Sequence, residues 1–89
     1  MPTGAAPESV IEVRVSLKPG ILDAEAENVE KALGLLGITP VPKVATARIY
    51  ELRFSGISAE QAERRAKEAV DRLLANPVVH HVTLRRLST

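Results

Sequence analysis

The chain is 89 residues long, 45% hydrophobic and 26% charged, and its 12 Lys and Arg against 11 Asp and Glu give a formal charge of +1. That length holds a single domain, and with no cysteine the chain has no disulfides, thiolate metal sites or cysteine nucleophiles. Near-neutral charge, with Tyr50 and Phe54 as the only aromatics, argues against a general nucleic-acid surface.

Residues 1–9 are small, Pro-containing and aperiodic, and read as a flexible N-terminal tail before a single domain over 10–89. They lack the basic cluster and apolar run of a secretory signal. No apolar run approaches the roughly 20 residues needed to span a bilayer. The expected location is cytoplasmic, with neither membrane nor nucleic acid as partner.

Ile11, Val13, Val15 and Leu17 then alternate with Glu12, Arg14, Ser16 and Lys18, which predicts a half-buried strand stopped by Pro19-Gly20. Asp23 is placed to cap a helix over about 24–36, with Glu25 and Glu27 at its positive end. Ala26, Val29, Ala32, Leu33 and Leu36 form its apolar stripe, and Gly37 ends it.

Pro40 and Pro42 exclude a regular central strand just after that helix. Ala45, Ala47 and Ile49 occupy odd positions, whereas Tyr50, Leu52 and Phe54 occupy even ones. This change of phase predicts one long strand with a bulge, bend or break near 48–50.

Ser58 and Gln61 have the spacing of a capping box at the start of a second helix. Ala62, Ala66, Ala69, Val70, Leu73 and Leu74 make its inward face, and Glu60–Arg64, Glu63–Lys67 and Glu68–Arg72 are i,i+4 pairs on its wet side. Asn76-Pro77 ends it, and a last strand follows near Val79–Leu87, with Val82 and Leu84 on one face.

The order β-α-β-α-β implies an α+β two-layer sandwich, with two helices on one face of a small, mostly antiparallel sheet. A domain of this size has a net stability on the order of 4–13 kcal/mol, so an apolar face left open is a strong reason to associate. A second copy would bury that face and extend the sheet.

No catalytic constellation is visible. His80 and His81 are adjacent on a strand and point to opposite faces, so they do not share a metal. Capping and dipole chemistry accounts for Asp23, Glu25 and Glu27. Arg64, Arg65 and Lys67 are interleaved with Glu63 and Glu68 as a solvated helix face. Lys18-Pro19-Gly20 lacks the spacing of a phosphate-binding loop.

Two segments carry a resemblance. Val13-Arg14-Val15-Ser16-Leu17-Lys18-Pro19-Gly20-Ile21-Leu22-Asp23 is similar to the opening V-x-L-K-x-G-V-L-D run of the PurS family, and Leu73-Leu74-Ala75-Asn76-Pro77-Val78-Val79 is similar to its L-L-A-N-P-V-I stretch. Tyr50-Glu51-Leu52 continues the likeness, which covers about residues 10–87. The chain departs at Ala24-Glu25-Ala26, where the family has Pro-Gln-Gly, and at Ala45 and Ala47, where it has arginine and glycine.

The resemblance implies a non-catalytic small subunit of phosphoribosylformylglycinamidine (FGAM) synthase. Such a subunit forms a homodimer or tetramer and bridges a PurL-like synthetase and a PurQ-like glutaminase for ammonia transfer in purine biosynthesis. ATP, Mg and glutamine are then used by those partners, and this chain has no catalytic, cofactor or metal residues. The expected self-interface is Tyr50, Leu52 and Phe54, or whichever strand face the helices leave open. Arg48, Arg53, Arg85 and Arg86 are expected to meet the larger subunits. The alternative is an ACT-like or ferredoxin-like small-molecule-sensing dimerisation module.

Overall fold

The computed structural model describes residues 8–87. Its elements run β1 (Glu8–Leu17), α1 (Ala24–Leu35), β2 (Ala47–Ser55), α2 (Ala59–Ala69), a π-helical turn (Val70–Leu74) and β3 (His80–Leu87). The three strands form one antiparallel sheet in the order β2-β1-β3. The expected α+β class and antiparallel sheet are therefore present. The tail expected over 1–9 lies outside the described residues except for Glu8 and Ser9, which open β1.

The alternation in β1 sets the layers. Ile11, Val13 and Val15 are buried on one face, where Ala62, Ala66 and Val70 of the second helix meet them. Alanines at the contact let that helix lie close to the strands, so β1 supplies most of the apolar bulk. The capping box forms as expected, with Ser58 accepting from the Gln61 N–H and Gln61 accepting from the Ser58 N–H, each at 3.1 Å.

Three expectations are corrected. First, β2 is one unbroken strand: it pairs with β1 without a bulge from Ser16↔Ala47 to Glu8↔Ser55. The apolar residues change phase because Ala47 and Ile49 lie on the sheet face away from α2, where Ile49 is 49% exposed. Second, Leu73 does not face inward but is 82% exposed. The helix closes with a π turn in which the Ala75 N–H donates to the Val70 carbonyl (3.2 Å). This i→i+5 winding keeps Val70 and Leu74 over the core and turns Leu73 outward.

Third, only α2 covers the sheet. The first helix, expected to lie beside it, has just Ala26 buried and makes only marginal contact with the strands. It stands off as an arm, with residues 38–46 running back along it. Periodicity defines an apolar stripe without specifying which surface receives it. The arm is well formed locally: the Ile38 N–H reaches the Leu33 carbonyl and the Gly37 N–H the Gly34 carbonyl, both at 3.0 Å, with Gly37 at φ 80°. This is a Schellman stop, and glycine suits its left-handed residue.

Candidate interaction surface

Three hydrogen bonds to one carboxylate hold the base of the arm. Asp23 accepts from the Ala26 N–H (2.9 Å) at the start of α1, and from the Thr46 N–H (3.1 Å) and hydroxyl (2.8 Å) just before β2. The Ala26 N–H, followed by the Thr46 hydroxyl, holds its carboxyl below the ordinary aspartate pKa, since each favours the charged form. Farther along, Glu30 accepts from the Val44 N–H (2.8 Å). Helix and return segment are thus lashed into one piece.

That piece is apolar and uncovered. Leu35 is 90% exposed, Leu36 76% and Leu22 70%, and Ile21, Val29, Ile38 and Val41 are also exposed. Soluble monomers rarely leave more than a few hundred Å² of apolar surface in one patch, so a run of exposed large apolar side chains on one arm is a candidate contact surface. The sequence contains these residues as a helix stripe and its flanks. What it does not show is that they lack a partner within the chain.

The sheet has two unlike faces. Opposed residues of antiparallel strands share a face, so Tyr50, Leu52 and Phe54 join Val13, Ile11 and Ser9 on the α2 side. There they pack partly buried against the core, on the face that α2 covers rather than the face it leaves open. Arg48 shares their side, opposite Val15, and has no ion-pair partner among the described residues.

The face away from α2 is a ladder of charges. Arg53 bridges Glu8 (3.3 Å) and Glu51 (3.1 Å), and Arg85 bridges Glu12 (3.3 Å), all in cross-strand or same-strand neighbour positions. Arg86 instead lies on the α2 side and pairs with Glu63 of that helix (2.9 Å). Glu63 is therefore engaged across elements, and of the three i,i+4 pairs expected on α2 only Glu68–Arg72 forms a salt bridge (3.3 Å). The interface candidates are consequently split: Arg53 and Arg85 on the charged face, Arg48, Tyr50, Leu52, Phe54 and Arg86 on the other.

His80 and His81 also point to opposite sides. His80 Nδ1 accepts from the Asn76 N–H (2.9 Å), fixing the turn before β3, while the His81 carbonyl accepts from the Ser16 hydroxyl (3.4 Å). A concavity of about 580 Å³ opens between the arm's base and the sheet, lined by Leu17, Glu25, Thr46, Arg48, Tyr50 and His80 among others. A second, of about 420 Å³, lies by Lys18, Asp71, Pro77 and His81. Among the described residues no group of three or more His, Cys, Asp or Glu could hold a metal ion. No described helix is long and apolar enough to cross a membrane. The described surface thus presents an apolar arm, a charged sheet face and two open strand edges.

Residues 10–88 match the family model described as PurS, phosphoribosylformylglycinamidine (FGAM) synthase. The chain belongs to the PurS family. The PurS subunit of the synthase from Archaeoglobus fulgidus is 39% identical over 75 residues, which span 84% of this chain and 94% of that one. The crystal structure of the Thermotoga maritima PurS subunit superposes with a TM-score of 0.81 at 27% identity, covering 92% of this chain and 94% of that chain. A chain in the structure of PurLQS from Thermotoga maritima gives 0.80 at 27% identity, covering 91% and 99%. PurS membership accounts for the two segments whose resemblance was noted, and it displaces the small-molecule-sensing alternative.

Proposed function

We propose that this chain is a non-catalytic assembly subunit of the FGAM synthase complex. It forms a homodimer or tetramer and bridges a PurL-like synthetase and a PurQ-like glutaminase, so that ammonia released by one is used by the other in purine biosynthesis in the cytoplasm. ATP, Mg and glutamine belong to those partners, and this chain contributes no catalytic residue. In this reading Tyr50, Leu52 and Phe54 serve self-association, and Arg48, Arg53, Arg85 and Arg86 meet acidic surfaces of the larger subunits.

The observation that carries the reading is the family match over residues 10–88. The similarity to a chain of a solved PurLQS assembly supports it. So does the physics of the surface: an apolar arm and a charged sheet face suit two different kinds of contact.

Reconstitution tests it. The chain is mixed with PurL-like and PurQ-like subunits, ADP and glutamine, and glutamine-dependent FGAM formation is followed with formylglycinamide ribonucleotide and ATP supplied. The rate should depend on this chain, which should co-elute with both subunits. Equal rates with and without it, and no co-elution, would overturn the proposal.

A further inference from the structure

Residues 75–79 join the π turn to β3, and the hydrogen bonds there converge on one residue. The Asn76 carbonyl accepts from the Val79 N–H (3.1 Å) and the His80 N–H (2.8 Å), and Asn76 Oδ1 accepts from the Val78 N–H (2.9 Å). The Ala75 N–H donates back to Val70, and the Lys18 N–H donates to the Val79 carbonyl (2.9 Å), which ties the turn to the end of β1. Pro77 has no N–H to place. What remains is the N–H of Asn76 itself, and it donates to Nδ1 of His80 at 2.9 Å.

That last bond differs from the others in its acceptor. A backbone or amide oxygen accepts at any ordinary pH, whereas an imidazole nitrogen accepts only while the ring is neutral. With Nδ1 accepting, the single ring proton sits on Nε2. A charged ring carries a proton on both nitrogens, so donor would meet donor at Asn76. The ring is half-buried on the α2 side of the sheet, opposite Leu17. Lys18 after β1, Glu25 of α1, Arg48 and Tyr50 of β2, and Asp71 of the π turn line the two concavities that His80 also lines, and His81 lines the second. Among the described residues His80 has no ion pair with any carboxylate, so no counter-charge is in place to hold the protonated ring where it is.

We propose that His80 is a proton-operated latch. Neutral, it fastens the turn over residues 75–79 to the first residue of β3; charged, it lets go of Asn76 and loosens that turn. The sign follows from the acceptor: the bond is present with the ring neutral, and is lost as pH falls through the range in which histidines take up their proton. Leu73 and Val78, 82% and 75% exposed, flank the latch, so its release changes how this apolar pair is presented. The device is local to the chain and stands apart from the assembly reading.

NMR of the full chain tests it. At pH 7.5 the ring nitrogens of His80 should report the neutral form with its proton on Nε2, and a scalar coupling should pass through the hydrogen bond between Nδ1 and the Asn76 amide nitrogen. Acidification until those ring nitrogens report the charged form should abolish the coupling. It should also lower the exchange protection of the Asn76 amide, relative to its intrinsic rate, by about fivefold. The amides of Ile11 and Val13 should keep their protection. In His80→Asn the side-chain oxygen stands near the place of Nδ1 and accepts without titrating, so protection at Asn76 should not change over the same pH range. In His80→Leu it should be low throughout, and His81→Asn should respond as the wild type does. A neutral ring with its proton on Nδ1 overturns the latch. So does Asn76 protection that survives charging of the ring, or a loss of response in His81→Asn. A response that persists in His80→Asn also overturns it, by assigning the effect to Glu25, Asp71 or another neighbouring group. The tautomer and coupling are read in the wild type, so the proposal stays refutable if a variant fails to fold.

Discussion

Ile11→Ala probes the thinness of the core. Ile11 is 1% exposed and sits between Leu52 and Arg86 in the register, under the alanines of α2. The substitution removes three carbons, worth about 2.4 kcal/mol at roughly 0.8 kcal/mol per buried methylene. The cavity adds to this at about 24 cal/mol per Å³. A hole of some 50–80 Å³ that fails to collapse costs a further 1–2 kcal/mol or so. The expected loss is therefore about 3.5–4.5 kcal/mol, a large share of a net stability on the order of 4–13 kcal/mol. Urea unfolding followed by circular dichroism reads it, with all variants at one chain concentration because association adds to apparent stability. Ile11→Val should cost only about 0.5–1.5 kcal/mol. Leu35→Ala, at a residue 90% exposed, should change the chain's own folding little. If Ile11→Ala costs less than about 1 kcal/mol, the stability does not reside in the β1–α2 contact, and the reasoning fails.

Ser58→Ala removes one half of the capping box and should cost about 0.5–2 kcal/mol, measured by the same unfolding. Gly34→Ala should stabilise α1 by up to about 1 kcal/mol, because the added carbon meets only the Val41 side chain at 3.5 Å, an ordinary contact. A loss of helical signal in that variant would show that the arm is packed more tightly than described. Asp23 is depressed in the folded chain, so its contribution is complete above the ordinary aspartate pKa near 3.9 and is lost as pH falls through the folded value. Its carboxyl should titrate below that value by NMR, with exchange protection at the Ala26 and Thr46 amides falling in step. A midpoint at or above the ordinary value would contradict the three-bond clamp.

How much of this was legible beforehand depended on the range of the interaction. Asp23, Ser58 with Gln61, and Gly37 act within one turn of their own helix, and local pattern places them correctly. The alternation in β1 reads directly because one of its faces is buried under α2. The unbroken β2 was obscured because apolar residues fall on both of its faces, and period two cannot separate a bulge from an exposed isoleucine. The Asp23–Thr46 clamp joins residues 23 positions apart, beyond any helix or hairpin spacing. The arm's lack of a home in its own chain is a tertiary fact. Its stripe is the same whether it covers this sheet or another.

Among the described residues every strand pairing is made by β1. Its partners are far along the chain: Val10 meets both Arg53 and Leu87. As the polypeptide leaves the ribosome, the most apolar strand emerges first and waits for β2, then longer for β3. During that interval Ile11, Val13 and Val15 lack both neighbouring strands and the cover of α2, all of which come later in the chain. Such long-range closure slows folding and prolongs exposure of a sticky segment. Glu12 and Arg14 within that strand, and the charged ladder they later join, then serve a second purpose: they keep the nascent strand in solution until its mates arrive.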